Sequence, residues 1–228
     1  MSQRTKNVTY SSVNTYETLN QLTDKTKNVW IVFHGIGYLS RYFLKYFDEL
    51  PREENYIIAP QAPSKYYLKN DYKYVGASWL TKENTGQEIE NLFSYLNAVL
   101  EKEQISRNTK TNVIVFGFSQ GVSIATRWLA KTKQSCSKMI LYAGGVPNEL
   151  KSSDFDNLID NQTDIKIIVG NSDEYLTPER METESKKIKE LFQGKAEMLI
   201  FEGGHEIKKE LINTLVNWKK TSYWKMTG

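Results

Sequence analysis

The sequence predicts an α/β fold in which a mostly parallel central sheet carries helices on both faces. First, short apolar runs alternate with segments of helical periodicity along almost the whole chain. Second, these runs are apolar at consecutive positions, as in strands that are covered on both sides. Third, glycine-rich turns follow several runs, at the strand ends where parallel sheets hold their ligands. The crossovers between such strands are expected to be right-handed.

The strands are predicted from short runs rich in valine and isoleucine that end at a glycine, a proline or a polar turn. A polar region up to about Lys27 precedes them, in which Val8–Tyr10 and Tyr16–Leu19 are candidates for short edge strands. In chain order, the predicted buried strands are Val29–Phe33, Ile57–Ala59, Val113–Phe116, Lys138–Tyr142, Ile165–Val169 and Ala196–Phe201.

The helices are predicted where apolar residues recur three and four positions apart. Pro51 ends the first of them, and Pro178 stands at the start of a highly charged one. In chain order, the predicted helices are a segment with apolar residues from 39 to 50, Asn84–Gln104, a segment from Gly121 to about Lys131, Pro178–Phe192, and a C-terminal helix carrying Ile207, Leu211, Leu215 and Trp218.

Composition narrows the class of protein. The 228 residues suit a single domain over 1–228, because no internal repeat or low-complexity linker divides them. Hydrophobic residues make up 39% and charged residues 25%, which is enough apolar material for one core and unlike a disordered chain. The net charge of +3 comes without a basic block, so we expect no nucleic-acid partner.

The cysteine content and the N-terminal sequence indicate the cellular compartment. The single cysteine, Cys136, argues against a disulfide framework and fits a packing residue in a reducing compartment. The N-terminus lacks the apolar core of a signal peptide, and no apolar run approaches the ~20 residues of a membrane span. We therefore expect a cytoplasmic protein without an integral membrane segment.

The chemistry centres on the turn Gly117-Phe118-Ser119-Gln120-Gly121, which lies between a predicted strand and a predicted helix. Strand, G-x-S-x-G and helix in this order form the nucleophile elbow of α/β-hydrolases. Strand and helix nearly touch in such a turn, and glycines two residues before and after the serine avoid a collision. The pattern therefore predicts that Ser119 is a nucleophile held above the sheet.

A serine nucleophile needs a base, and the base needs a partner that fixes its tautomer. Of the two histidines, only His205 follows Ser119, in a Gly-Gly-His loop after the last predicted strand. The expected chain order of Ser, acid, His leaves Asp173 as the acid, after its own strand. Glu174 could substitute for it, whereas Asp160 and Asp164 precede the strand and would lie at the wrong edge of the sheet.

The tetrahedral intermediate of ester hydrolysis needs hydrogen-bond donors for its negative oxygen. One donor is expected to be the backbone N–H of Gln120, directly after the nucleophile. The second is assigned to the backbone N–H of Ile36, in the turn His34-Gly35-Ile36-Gly37 after the first buried strand. His34 is then interpreted as a residue that positions this turn, and the side chains of Ile36 and Gln120 are not expected to matter.

Residues 61–82, called the aromatic segment below, are long, lack a clean period and are rich in aromatic side chains. A loop of this length is usually functional or disordered, and so many aromatic residues argue against disorder. We interpret the segment as a cover over the active site that supplies an apolar pocket for the acyl or alcohol part of a substrate. The alternative is a satellite hydrophobic cluster that only seals the core.

Six motifs resemble, in order, the phospholipase/carboxylesterase family, which includes acyl-protein thioesterases and bacterial carboxylesterases. They are H-G-I-G, A-P-Q-A-P, Ser78-Trp79, G-F-S-Q-G, G-N-S-D and G-G-H, within a resemblance that extends from about Val29 to Trp218. The resemblance implies a compact α/β-hydrolase that cleaves esters or thioesters without a cofactor. By position it makes Ser119, Asp173 and His205 the catalytic triad, with Ile36 and Gln120 as oxyanion donors.

The chain departs from the family pattern near the acyl-binding side. Tyr38 stands where the family usually has an aspartate after H-G-x-G, and Leu80 and Thr81 follow Ser-Trp in place of an aromatic residue and an aspartate. These departures leave the triad untouched. The residues expected to line the substrate pocket are Tyr38, Tyr66, Tyr67, Trp79 and Leu80.

The leading hypothesis is a serine carboxylesterase that hydrolyses short- to medium-chain esters through an acyl-enzyme on Ser119. Acyl-protein thioesterase, lysophospholipase, peptidase and carbon–carbon hydrolase activities are alternatives on the same scaffold. A hypothesis of a different class is a non-catalytic binding protein on a hydrolase fold. We expect a small-molecule or lipid ester as substrate and neither a cofactor nor a metal ion, and a homodimer is left open.

Overall fold

A computed structural model of the protein describes residues 4–105 and 111–216. Its strands are β1 Tyr16–Leu19, β2 Asn28–Phe33, β3 Asn55–Pro60, β4 Ser64–Tyr67, β5 Val75–Ser78, β6 Asn112–Phe118, β7 Lys138–Tyr142, β8 Asp164–Gly170 and β9 Glu197–Phe201. Seven of them form one sheet in the order β1-β3-β2-β6-β7-β8-β9. Only β1 runs antiparallel to its neighbour in this sheet, which confirms the predicted mostly parallel arrangement.

Helices cover both faces of the sheet, as predicted. Their bounds are α1 Ser40–Phe43, α2 Thr85–Lys102, α3 Gln120–Thr132, α4 Asp156–Asp160, α5 Pro178–Leu191 and α6 Lys209–Leu215. The helices α2, α3, α4 and α5 contribute to one apolar cluster, and α1 and α6 contribute to another. Within the described ranges, no helix combines the length and apolar character needed to cross a membrane.

The strand β2 shows why the sheet is apolar at consecutive positions. Ile31 and Phe33 belong to the cluster under α2 and α3, whereas Trp30 and Val32 belong to the cluster under α1 and α6. All of them are nearly inaccessible to solvent. Because successive side chains of a strand point to opposite faces, a strand between two helical layers must be apolar throughout.

The first predicted helix is wrong in length. The chain forms only the four residues of α1 and then a 3₁₀ turn over Leu44–Tyr46, rather than one helix to residue 50. The segment is crowded with tyrosine and phenylalanine, which are weak helix formers. Their rings pack instead on the sheet, where Phe43 and Phe47 both contact the ring of Phe116. The hydrophobic spacing therefore marked the buried positions Leu39, Phe43, Phe47 and Leu50, but Tyr42 is exposed and the helix is not continuous.

Two predictions at the termini had different outcomes. The edge strand at Tyr16–Leu19 is confirmed as β1, but Val8–Tyr10 forms no strand and its side chains are exposed. The predicted C-terminal helix is α6, and Trp218 lies outside the described residues.

The aromatic segment contains a β-hairpin that the sequence did not predict. β4 and β5 pair antiparallel, with Ser64 opposite Ser78 and Tyr67 opposite Val75. All four residues of β4 are exposed, so the strand carries no alternation of apolar and polar residues that could reveal it.

Candidate active site

The turn after β6 holds Ser119 in a strained backbone conformation. Its φ of 53° and ψ of −118° lie outside the regions that residues other than glycine usually occupy. The conformation is held by close packing, because a Cβ on Gly121 would lie 2.1 Å from the carbonyl oxygen of Phe33 and one on Gly117 would lie 2.5 Å from that of Gly121. The Ser119 N–H also donates to the carbonyl oxygen of Tyr142, at 2.9 Å. This geometry is that of a nucleophile elbow.

Ser119, His205 and Asp173 form a continuous hydrogen-bonded chain. The Ser119 Oγ lies 2.9 Å from His205 Nε2, and His205 Nδ1 lies 2.8 Å from Asp173 Oδ2. The Asp173 side chain is fully buried, and its other oxygen accepts a hydrogen bond from the Tyr175 N–H at 2.9 Å. Nδ1–H therefore faces the carboxylate, which leaves Nε2 free to accept the serine proton.

The loops that carry the acid and the base are joined to each other. The Ser172 N–H donates to the carbonyl oxygen of Gly203, and the Gly203 N–H donates to the side chain of Asn171. The rings of Phe118 and Tyr175 flank the His205 imidazole, with centroids 5.2 and 4.8 Å away. The relative position of acid and base is thus fixed by the backbone as well as by their own hydrogen bond.

None of the competing acids is hydrogen-bonded to His205. Glu174 is exposed and makes no hydrogen bond to His205. Asp164 begins β8 at the opposite end of the strand, where it pairs with Lys166 and Lys138. Asp160 ends α4, before β8 begins. The structure therefore brings Asp173, and none of these three, to the histidine.

Ile36 and Gln120, whose backbone N–H groups are expected to stabilise an oxyanion, line one cavity together with Ser119. Neither of their N–H groups has an acceptor in the described part of the chain, whereas the next one, on Gly37, donates to the carbonyl oxygen of Ala77 at 2.8 Å. Two N–H donors are thus available beside the serine, as an oxyanion hole requires.

His34 anchors the loop that carries Ile36. It is fully buried, and burial lowers the pKa of its imidazole from 6.5 to about 4, so the ring is neutral near pH 7. Nδ1–H donates to the carbonyl oxygen of Gly35 at 2.8 Å, and Nε2 accepts from the Ala62 N–H at 3.2 Å. The expectation that His34 positions this turn agrees with these contacts.

The Gln120 side chain makes contacts that the sequence did not suggest. Its Oε1 accepts from the Trp79 N–H at 2.9 Å, and its Nε2 donates to the carbonyl oxygen of Leu80 at 2.8 Å. It also lies within hydrogen-bond distance of the Ser78 hydroxyl. The side-chain amide therefore ties the end of the aromatic segment to the start of α3.

Trp79 was assigned to the substrate pocket, and this assignment is wrong. Its side chain is fully buried, its Nε1–H donates to the carbonyl oxygen of His34 at 2.7 Å, and its ring packs on the His34 imidazole. Leu80 packs against the same apolar cluster. Both residues support the site from the core side, which matches the alternative that the end of the aromatic segment seals the core.

A cavity of about 420 Å³ opens beside Ser119. Tyr38 lines it as expected, but Tyr66 and Tyr67 do not, because they stand on β4 with exposed rings. The lining residues that the sequence did not indicate lie on the loops after β7 and β8 and on the first turn of α5, positions that have no motif of their own. They are Ala143, Gly144, Gly145, Tyr175, Leu176 and Arg180.

The family model described as Phospholipase/Carboxylesterase matches residues 14–222 of the chain. No curated protein matches the sequence.

Solved structures share the architecture. Acyl-protein thioesterase 2 of Zea mays is 14% identical, with a TM-score of 0.65 over 90% of this chain and 97% of that one. The carboxylesterase of Bacillus cereus is 16% identical, with a TM-score of 0.64 over 91% and 93%. A phospholipase/carboxylesterase of Dyadobacter fermentans is 19% identical, with a TM-score of 0.62 over 93% and 100%. At these identities the likeness shows a common fold.

Proposed function

This chain belongs to the phospholipase/carboxylesterase family and has its α/β-hydrolase fold, and we propose that it is a serine hydrolase that cleaves carboxylic esters through an acyl-enzyme on Ser119. The observation that carries the proposal is the hydrogen-bonded chain from Asp173 through His205 to Ser119. A serine alone is a weak nucleophile at neutral pH, and this chain of contacts supplies the activation that it lacks.

In the acylation step, Ser119 Oγ attacks the ester carbonyl carbon while its proton moves to His205 Nε2. Asp173 holds Nδ1–H and stabilises the positive charge that the imidazole gains. The carbon–oxygen bond to the alcohol then breaks, and His205 gives the proton to the departing alkoxide. Water repeats the sequence in the second half, with His205 taking its proton, and releases the carboxylic acid.

The negative oxygen of each tetrahedral intermediate is stabilised by the N–H groups of Ile36 and Gln120. Both groups lack an acceptor within 4–105 and 111–216, and both residues line the cavity beside Ser119. Removing one preorganised donor from such a site costs on the order of 10²–10³ in rate, so two unoccupied donors beside the serine are a strong argument for acyl transfer.

The finer proposal is a carboxylesterase for short- to medium-chain esters. A cavity of about 420 Å³ suits a small ester, since binding pockets for small molecules begin at roughly 300 Å³. Thioester hydrolysis on acylated proteins and lysophospholipase activity are the alternatives, and one structural neighbour is an acyl-protein thioesterase. The same triad chemistry would serve all three.

A fluorophosphonate probe tests the proposal. Wild type is expected to be labelled covalently, and Ser119→Ala is expected to lose the label. Ser123→Ala is the matched control, because Ser123 lies one turn further along α3 and its hydroxyl donates to the carbonyl oxygen of Gln120. A native protein that stays unlabelled would favour a binding protein on a hydrolase fold and would defeat the proposal.

A second experiment separates the finer alternatives. Rates on p-nitrophenyl esters of increasing acyl length, with an acyl thioester beside them, give the chain-length preference directly. A preference for short acyl groups supports the carboxylesterase. A rate that rises up to long acyl chains, or that favours the thioester, would replace it by a lysophospholipase or a thioesterase.

A further inference from the structure

The catalytic cavity contains a permanent positive charge. Among the described residues that line it, Arg180 is the one side chain that is charged at every physiological pH. The other walls are aromatic, aliphatic or glycine backbone, apart from the catalytic side chains and Gln120. A cation at the mouth of an otherwise neutral cavity needs an explanation in terms of what the cavity binds.

Arg180 is an exposed residue, and one hydrogen bond anchors its guanidinium beside the cavity. Arg180 lies in the first turn of α5, where its N–H donates to the Thr177 hydroxyl at 3.3 Å. Its Nη1 donates to the carbonyl oxygen of Tyr175 at 2.8 Å. Its Nη2 would lie 3.3 Å from a Cβ on Gly145, so this end of the fork reaches the wall formed by the loop after β7.

No carboxylate forms an ion pair with the Arg180 guanidinium within the described ranges. Arg180 takes part in none of the ion pairs formed there, although acidic residues stand nearby on α5. Glu184, whose carboxylate also faces Gly145, is bound to Lys187 at 2.8 Å and to the Val146 N–H at 3.2 Å. The remaining donors of the guanidinium are therefore available to a ligand in the cavity.

We propose that the ester cleaved at Ser119 carries a carboxylate, and that Arg180 binds this group and thereby selects anionic esters over neutral ones. The inference rests on the proposed function. A guanidinium presents paired N–H groups in the geometry of a carboxylate and forms strong charge-assisted hydrogen bonds with it. A neutral alkyl chain in the same place would displace water from the guanidinium without replacing its hydrogen bonds.

Matched ester pairs test the selection, with one pair for each side of the scissile bond. Monomethyl adipate and methyl hexanoate have the same length and differ by a carboxylate at the end of the acyl chain. 4-Acetoxybenzoate and 4-methylphenyl acetate differ by a carboxylate on the alcohol part. For each protein the measured quantity is the ratio of kcat/KM between the anionic and the neutral ester, so that differences in intrinsic reactivity cancel between variants.

In Arg180→Gln the ratio of kcat/KM between the anionic and the neutral ester is expected to fall roughly tenfold or more for at least one pair. A fall of this size corresponds to the loss of at least one charge-assisted hydrogen bond. Arg180→Lys should retain part of the preference, since it keeps the charge but not the fork. Arg52→Gln is the control: this exposed arginine precedes β3, at the end of the sheet opposite the active site, and its loss should leave the ratio unchanged.

A purely structural role for Arg180, that of holding the Tyr175 carbonyl, predicts a different result. It would lower kcat/KM for the anionic and the neutral esters equally, and an unchanged ratio in Arg180→Gln would overturn the proposal. An equal fall in the ratio in Arg52→Gln would also overturn the proposal, because the preference for anionic esters would then come from the net charge of the protein rather than from a contact with Arg180.

Calorimetry with Ser119→Ala keeps the proposal testable without turnover. This variant should bind monomethyl adipate or 4-acetoxybenzoate more tightly than the neutral partner, and Ser119→Ala/Arg180→Gln should lose the difference. Equal binding of both members of each pair would refute the anion site. Failure of the fluorophosphonate reaction alone would instead remove the esterase and leave the anion site to be judged by these binding data.

Discussion

Alanine at position 121 should damage both the fold and the active site. Its Cβ would lie 2.1 Å from the carbonyl oxygen of Phe33, 2.6 Å from the Phe33 carbonyl carbon and 2.9 Å from the carbonyl oxygen of His34. All three atoms are backbone, so no side chain can turn away. Since nonbonded atoms in contact sit about 3.5 Å apart, α3 and β2 would have to separate by more than about 1 Å.

The consequences can be given rough magnitudes. Overpacking of this kind costs about 1–3 kcal/mol of unfolding free energy, and more where backbone must move. Because Ser119 and Gln120 directly precede Gly121, the same movement displaces the nucleophile and one proposed oxyanion donor. A misplacement of about 1 Å in a catalytic group can cost on the order of 10² in rate.

Gly86 offers the same substitution with the opposite expected sign. It is the second residue of α2, and a Cβ there would meet no atom within 4 Å. Alanine should stabilise the protein by about 0.4–1 kcal/mol, because it has the better helix propensity and restricts the unfolded chain. The pair therefore separates the effect of close packing from that of removing a glycine.

Thermal unfolding followed by circular dichroism measures the pair. For a protein of this size, each kcal/mol moves Tm by about 2–4 °C. Gly121→Ala should therefore lower Tm by several degrees and reduce fluorophosphonate labelling, while Gly86→Ala should raise Tm slightly. A Gly121→Ala protein that unfolds at the wild-type temperature and reacts at the wild-type rate would refute the close contact between the elbow and β2.

Two further predictions concern the support of the oxyanion donors. Gln120→Leu keeps the backbone N–H, but it leaves the Trp79 N–H without its acceptor and removes one of the two donors to the Leu80 carbonyl oxygen, the other being the Ser78 hydroxyl. Urea denaturation should therefore show a loss of about 1–3 kcal/mol of unfolding free energy, and wild-type stability would mean that these contacts contribute nothing. Burial lowers the pKa of His34 from 6.5 to about 4. Between these pH values the unfolded chain binds a proton on His34, whereas the folded protein does not. His34 should therefore lower the unfolding free energy by about 3 kcal/mol as pH falls through that window. From pH 6.5 to 4, the unfolding free energy of His34→Gln should depend less steeply on pH than that of wild type, and above pH 6.5 the two dependences should be equal. An identical slope in both proteins from pH 6.5 to 4 would contradict the neutral buried ring.

The strands and the triad could be predicted because their signals are local. A strand between two helical layers is apolar at every position, and β2 and β6 display that pattern directly in the sequence. With only two histidines and a fixed chain order, the search for a base ended at His205. The structure places the His205 ring between Ser119 and Asp173, within hydrogen-bond distance of both.

The parts that sequence reasoning missed depend on contacts between distant residues. Trp79 looked like a pocket residue because it is aromatic and stands in a long segment, yet its partner is the carbonyl oxygen of His34, 45 positions away. Arg180 belongs to a charged helix whose other residues give no hint that its first turn reaches the cavity. The exposed β4 carries no alternation, so its pairing with β5 was invisible to a search for periodicity.

The buried tryptophan also explains how two donors on separate elements keep their relative position. Ile36 follows His34, whose carbonyl oxygen is held by Trp79 Nε1–H; the N–H of the same Trp79 is held by the side chain of Gln120. Gln120, which carries one proposed donor, therefore holds Trp79, and Trp79 in turn holds the loop of Ile36, which carries the other. An oxyanion hole stabilises charge best when its donors need no reorganisation during the reaction. Under the proposed function, the end of the aromatic segment would support catalysis from the core side by fixing the two proposed donors relative to each other, without contact between Trp79 and a substrate.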